Sequence, residues 1–305
     1  MPFNYQLARF LPFNDEAACA QARAIQREHI TNHNNPEFKI GVINDKTEFY
    51  AAFALDIVSR IRAKAEAGEK FVAIFPAGPM PQYSIAAQMI NKLRISCKHV
   101  HSFNMDEYAD ENGNSAPADW PGSFQKAMLS SFWNAVDADL RPPMEQIHFP
   151  STKTIRNYGR MIDDQGGADV CYGGIGWCGH IAFWEAHLAD EFGGDLQVFK
   201  TLGPRVVELH PMTIMQNALH SFGGDWSWVP PKALTIGPAQ ILGAKYRSFW
   251  LDGDLGGGVS WQRFIGRLVA HGPVTPYVPG SILQTVPGSY TFLGGVADNV
   301  EIHMS

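Results

Sequence analysis

An α/β fold built on a parallel sheet is predicted by three features of the sequence. Short apolar runs alternate with helical patterns along nearly the whole chain. The clearest unit reads strand, loop, helix, the arrangement that builds parallel sheets. No Ser/Gly linker or internal repeat breaks the alternation, so residues 1–305 are expected to form one domain.

Taken in order, residues 1–40 contain a helical stretch, DEAACAQARAIQREHI, and are otherwise without a clear pattern. A long helix is predicted over 46–67 (KTEFYAAFALDIVSRIRAKAEA), followed by an apolar strand at 71–76 (FVAIFP). The turn AGPMP then opens a helix, QYSIAAQMINKLR. Further strands are predicted at 98–103, 145–149, 168–174, 205–209, 232–237 and 247–252. Helices are predicted around 121–135, 153–165, 211–219, 238–244 and 258–271. Residues 276–305 are too rich in Gly and Pro to assign.

The formal charge of −6, from 24 basic and 30 acidic residues, is spread along the chain without basic runs. This argues against nucleic acid and anionic membrane as partners. No segment approaches 18 consecutive apolar residues, so no membrane span is expected. Cys19, Cys97, Cys171 and Cys178 show no CxxC pairing and read as reduced thiols. With an N-terminus that lacks an export pattern, they point to the cytoplasm.

In open α/β sheets, ligands bind at the carboxyl ends of the strands. Four such places carry reactive or small residues: AGPMP at 77–81, NMDEY at 104–108, GGIGWCGHIAFWEA at 173–186, and DGDLGGG at 252–258. Asp106 can act as a proton-transferring carboxylate or merely cap a turn. His180 and Glu185 lie five residues apart, about 140° around a continuous helix, so sharing a face requires a break between them. Cys178, His180, Glu185 and His187 are possible metal ligands, but their spacing matches no common zinc pattern, and neither a metal nor a cofactor is expected.

Taken together, FNMDEY (103–108), GGIGxxGHIAFxE (173–185), RVVEL followed by TIMQNA (205–218) and ALTIGPAQIL (233–242) closely resemble the glucosamine-6-phosphate deaminase/isomerase family, over roughly residues 40–290. The resemblance implies a Rossmann-like, three-layer αβα domain. It also implies an aminosugar deaminase or sugar isomerase of carbohydrate metabolism, hydrolase by class, acting on a small sugar without metal or nicotinamide. Relatives are often homo-oligomers. By motif position Asp106 carries over as the carboxylate that shuttles a proton between C1 and C2, His180 as the ring-opening acid/base, and Glu185 as its orienting partner. Cys178 stands where the family usually has an acid, as a third member of the ring-opening group. Ala77, Gly78, Met80, Glu107, Gly174, Gly176, Trp177 and Trp184 fall at substrate-binding positions.

The departures gather at the phosphate end. Met80 replaces a Ser or Thr hydroxyl, and Pro79 removes an N–H. The family arginine falls at Leu219 and the lysine near Gly256. Three losses at one subsite predict a substrate without the usual phosphate, because a buried dianion needs cationic or N–H partners. Lys232, Lys245, Arg247 and Arg263 are the cations that could compensate. Tryptophan faces at 177 and 184 are candidates for stacking on a sugar ring. The competing readings are a sugar lactonase, which shares a GxGxxGH element, and a non-catalytic sugar-binding protein. For the latter, the first 40 residues show no basic helix-turn-helix pattern.

Overall fold

FVAIF at Phe71–Phe75 is buried at every position, which requires a strand covered on both faces. The computed structural model, which describes residues 5–302 and 304, places it inside a seven-stranded sheet. The strands are β1 (Phe38–Ile43), β2 (Phe71–Phe75), β3 (Val100–Asn104), β4 (Asp106–Ala109), β5 (Ile147–His148), β6 (Val170–Gly173), β7 (Arg205–Glu208), β8 (Lys232–Thr235), β9 (Tyr246–Leu251), β10 (Asp254–Gly256), β11 (Val259–Ser260) and β12 (Gly288–Leu293). The main sheet is parallel in every pairing, in the order β1-β12-β9-β6-β2-β3-β5, with helices flanking it.

The long helix Lys46–Ala67 forms where it is predicted, with the Asp45 carboxylate accepting the Glu48 N–H at its start. Its buried positions Phe49, Phe53, Ile57 and Ile61 recur every four residues, so one stripe faces the sheet. Phe53 stacks on Trp250 of β9 with ring centroids 4.5 Å apart. No helix among the described residues is long and apolar enough to cross a membrane.

Several elements differ from the sequence expectation. β1 and β12 come from the stretches left unassigned, and β12 lies between β1 and β9 rather than at an edge. The expected strands at 205–209 and 232–237 do form, but in a separate antiparallel sheet of order β4-β8-β7. The expected helix over 258–271 begins only at Arg263, because residues 254–260 form the β10–β11 hairpin. The stretch NMDEY is not a loop: after Met105 the chain enters β4, and Asp106 stands opposite Thr235 of β8.

That small sheet governs where the loop after β6 lies. The Thr235 hydroxyl oxygen accepts the Phe183 N–H at 3.0 Å, and the Ile236 carbonyl accepts the Trp184 indole N–H at 2.8 Å. One strand end therefore holds both Asp106 and the loop that carries His180. Just beyond it, Gly237 lies so close to the Leu202 carbonyl that a Cβ would collide with backbone. Gly237→Ala is expected to lose about 1–3 kcal/mol of stability. Gly243→Ala, at an open helical position, is expected to be neutral or stabilising by up to about 1 kcal/mol. Paired urea denaturation curves check both.

Candidate active site

The carboxyl ends of β2, β3, β6 and β9 open into one cleft of about 410 Å³. Pro76–Pro81 line it after β2, Met105 and Asp106 after β3, Gly174–Gly176 after β6, and Trp250 and Asp252 at the end of β9. Asp106 and His180 both face this space, as do Ala77, Gly78, Met80, Gly174 and Gly176. Gly176 packs flat against the His180 imidazole, where any side chain would collide with the ring.

His180 and Glu185 meet without sharing a helix. The loop turns at Ala182, whose φ of 52° is left-handed, and a short 3-10 helix begins only at Ala186. The turn brings the Glu185 carboxylate back under the imidazole. Glu185 Oε2 accepts the Cys178 thiol at 2.8 Å and the Thr213 hydroxyl at 3.0 Å, while Oε1 accepts the His210 N–H at 3.3 Å. His180 Nδ1 lies 2.9 Å from Thr213 Oγ1 and 3.3 Å from Glu185 Oε2.

Hydrogen-bond accounting assigns the tautomer. Thr213 has one hydroxyl proton and gives it to Glu185, so His180 Nδ1 must be the donor to Thr213 Oγ1. That leaves Nε2 as the nitrogen able to take up or release a proton in the cleft. Thr213, which opens the TIMQNA stretch, and His210, which caps the same helix Pro211–Ser221, are the positioning residues that sequence reasoning missed.

The charges are distributed unevenly. Burial raises the Glu185 carboxyl, but the opposing effects of His180, Cys178 and Thr213 outweigh it and hold Glu185 below the ordinary value. Burial pushes the Cys178 thiol well up, and Glu185 pushes it further, so it stays protonated and works as a donor. Asp106 lies in the opposite situation. Burial, and then the neighbouring Glu107 charge, hold its carboxyl well above the ordinary value. Its carboxyl therefore holds a proton more readily than an ordinary carboxylate does.

The potential ligand atoms of Cys178, His180 and Glu185 lie within 4.8 Å of one another. A thiolate and a carboxylate on one tetrahedral zinc would stand about 3.6 Å apart. The 2.8 Å contact between Cys178 and Glu185 is that of a hydrogen bond. His187 points to a different place, lining a second pocket with His210 and residues 9–15.

Four of the site residues named from the sequence stand outside the cleft lining. Glu107 turns away, and its carboxylate accepts the Phe124 and Gln125 N–H groups and the Ser123 hydroxyl, capping the helix Phe124–Ser131. Trp184 is fully buried, with the Arg205 guanidinium 4.7 Å over its ring. Trp177 is half-buried outside the lining, its N–H held by Gln216. Cys178 lies behind His180 instead of in the cleft. The tryptophans that do line the cleft are Trp250 and Trp261, and Tyr50, Tyr108, Phe124, Phe183, His220 and Asp252 line it as well.

The phosphate-end positions contain no replacement cation. Leu219 is exposed outside the lining, and Gly256 lies in the exposed β10–β11 hairpin. Lys232 binds the Glu111 carbonyl and Lys245 the Asp169 carboxylate. Arg247 donates to the Ile241, Leu242 and Pro287 carbonyls, and Arg263 to the Gly258 and Gly295 carbonyls. Among the described residues the cleft lining contains two aspartates, two histidines and no lysine or arginine.

Two curated relatives share this sequence pattern. Glucosamine-6-phosphate deaminase of Caenorhabditis elegans is 33% identical over 211 residues, covering 67% of this chain and 72% of the relative. Glucosamine-6-phosphate isomerase of Candida albicans is 35% identical over 208 residues, covering 65% and 73%. Among solved structures, a monomeric glucosamine-6-phosphate deaminase superposes with a TM-score of 0.71 at 22% identity, over 85% of this chain and 99% of that one. The 6-phosphogluconolactonase of Thermotoga maritima superposes with a TM-score of 0.57 at 16% identity, over 83% and 98%. No family model matches the chain.

Two outcomes follow from these environments. Only Cys19 of the four free thiols is accessible, so native protein is expected to react with about one equivalent of Ellman's reagent and the rest only on unfolding. Glu107→Ala strands buried donors and is expected to cost about 2–3 kcal/mol in denaturant unfolding.

Proposed function

Because the chain belongs to the glucosamine-6-phosphate deaminase/isomerase family, we propose that its cleft isomerises an aldose to a ketose, releasing ammonia when the sugar carries a 2-amino group, and that its substrate lacks the 6-phosphate. The observation that carries this reading is a cleft that joins Asp106 and His180 yet, among the described residues, is lined by no lysine or arginine. A dianionic phosphate in such a site would be desolvated without a cationic partner.

The chemistry follows from the two faces of the cleft. His180 Nε2 takes the proton of the anomeric hydroxyl and returns one to the ring oxygen, opening the pyranose. The Asp106 carboxylate then removes the C2 proton. The electron pair forms the C1–C2 double bond as the C1=O π pair moves to O1, which takes a proton from solvent. Asp106 delivers its proton to C1 while the 2-amino or 2-hydroxyl group gives one up. For an aminosugar this leaves an imine at C2. Water adds there and ammonia departs, so aminosugar plus water yields ketose plus ammonia, a hydrolytic balance. The Thr213 and Glu185 chain keeps the imidazole in the tautomer that the first step needs, as Cys178 helps hold Glu185 in place. Hydrolysis of a lactone moves no carbon-bound proton and asks only for an activated water. The unpaired thiols support a reducing, cytoplasmic setting.

Asp106→Asn tests the reading. In a screen of amino and hydroxy sugars, ammonia release and ketose formation are expected to fall at least about 10²-fold with ligand binding retained. Unchanged turnover would contradict the assignment, and retained binding with no wild-type turnover on any sugar would favour a binding protein. The pH dependence has a defined sign. Asp106 works ionised and its carboxyl is raised, so the acid limb of kcat/KM lies above the ordinary carboxylate range. A raised folded-state value also means that the group stabilises the fold at low pH and loses that contribution as pH rises. Asp106→Asn is therefore expected to melt a few degrees higher than wild type at neutral pH, with the gap closing in acid.

A further inference from the structure

The end of β9 carries a polar group that neither the proton transfer nor the ring opening uses. Asp252 enters the same cleft as Asp106, from a strand three positions across the sheet in the order β9-β6-β2-β3. Three strand spacings amount to about 14 Å between the strand ends. Asp252 thus lies toward the side of the cleft away from Asp106, with Gly174–Gly176 and Ala77–Met80 between them.

Its surroundings are built, not incidental. The Tyr50 hydroxyl donates to Asp252 Oδ2 at 2.7 Å. The next residue, Gly253, gives its N–H to Gln262 Oε1 at 2.8 Å, and Gln262 Nε2 in turn bonds the Ile175 carbonyl at 2.5 Å. The Ser260 hydroxyl holds the Gly253 carbonyl at 2.8 Å. These bonds tie the end of β9 to the loop after β6, so Asp252 is fixed relative to the glycines on which the sugar would rest. Beside it, Trp261 lines the cleft with its indole nitrogen buried and unpartnered, and His220 meets that ring edge to face at 5.3 Å. Burial raises the Asp252 carboxyl, and the Tyr50 hydroxyl and then His220 act against that rise; among the described residues no lysine or arginine lines the cleft beside it.

We propose that Asp252, held by Tyr50 and flanked by Trp261, is a specificity subsite that accepts a hydroxyl from the uncharged end of a free sugar and excludes a phosphorylated one. The proposal rests on the sugar-isomerase reading and names the substrate class of that same cleft. A carboxylate accepts hydroxyl protons well, and an aromatic ring covers the apolar face of a pyranose. The same carboxylate faces a phosphate with like charge and no lysine or arginine between them, so one residue both attracts the free sugar and rejects its ester. Pro79 and Pro81, which also line the cleft, lack the N–H groups that would offset this.

Calorimetric titration of the whole protein with D-glucosamine, D-glucosamine 6-phosphate and 6-deoxy-D-glucosamine tests the subsite without relying on turnover. Free glucosamine is expected to bind at least about tenfold more tightly than either analogue. Asp252→Asn keeps the size and the Tyr50 contact; it is expected to weaken glucosamine about tenfold and bring the phosphate ester to within about threefold of it. Tyr50→Phe guards against a folding artefact at Asp252. It is expected to weaken glucosamine about fivefold while the ester stays excluded. The proposal is overturned if wild type binds the ester as tightly as the free sugar, if it binds neither, if 6-deoxyglucosamine binds like glucosamine, or if Asp252→Asn leaves the preference unchanged. Failure of the isomerase reading looks different: the binding preferences persist and no sugar is turned over.

Discussion

The burial of one carboxylate organises the site. Glu185 is 1% exposed and cannot remain there ionised without partners, which come from four directions: the Cys178 thiol, the Thr213 hydroxyl, the His210 N–H and the His180 imidazole. Satisfying it pins the loop after β6 to the helix Pro211–Ser221 and forces the chain through a left-handed residue at Ala182. It also decides which imidazole nitrogen carries the proton. Cys178 fits this arrangement as a neutral donor, whereas a second carboxylate there would need a proton or a cation to stand 2.8 Å from Glu185. The thiol does not charge the histidine; it completes the hydrogen bonding of the group that orients it.

A second constraint brings Asp106 and His180 to one cleft. Asp106 follows β3 by two residues and immediately pairs with β8, whose end accepts hydrogen bonds from Phe183 and Trp184. The separate antiparallel sheet is thus the scaffold that sets Asp106 against His180, while the parallel sheet supplies the floor of the cleft. The remaining lining residues include acidic, aromatic and proline side chains where a phosphate would demand cations and free N–H groups.

Much of this was legible in the sequence because it rests on local pattern. The helix Lys46–Ala67, the strand Phe71–Phe75 and the clustering of Asp106, His180 and Glu185 follow from periodicity and motif. The misses have physical causes. β12 reads GSYTFL between Pro-Gly and Gly-Gly, so turn residues mask a strand that only its neighbours β1 and β9 stabilise. Glu107 beside Asp106 reads as a substrate-binding position, but alternation along β4 sends it to the other face, where it caps a helix. Trp184 resembles a pocket wall until the turn at Ala182 carries it into the core. Asp252, Tyr50 and Trp261 come from three separated stretches, and no spacing rule brings them together before the sheet order is known.

In the proposed reaction Asp106 moves a carbon-bound proton of a sugar whose far end carries no phosphate. The most direct measurement is deuterium incorporation at C2 of D-glucosamine and of its 6-phosphate, followed by NMR in heavy water with wild-type protein. Exchange into the free sugar, with the ester exchanging far more slowly, is the predicted result. Rapid exchange into the phosphate ester with the free sugar inert would contradict it.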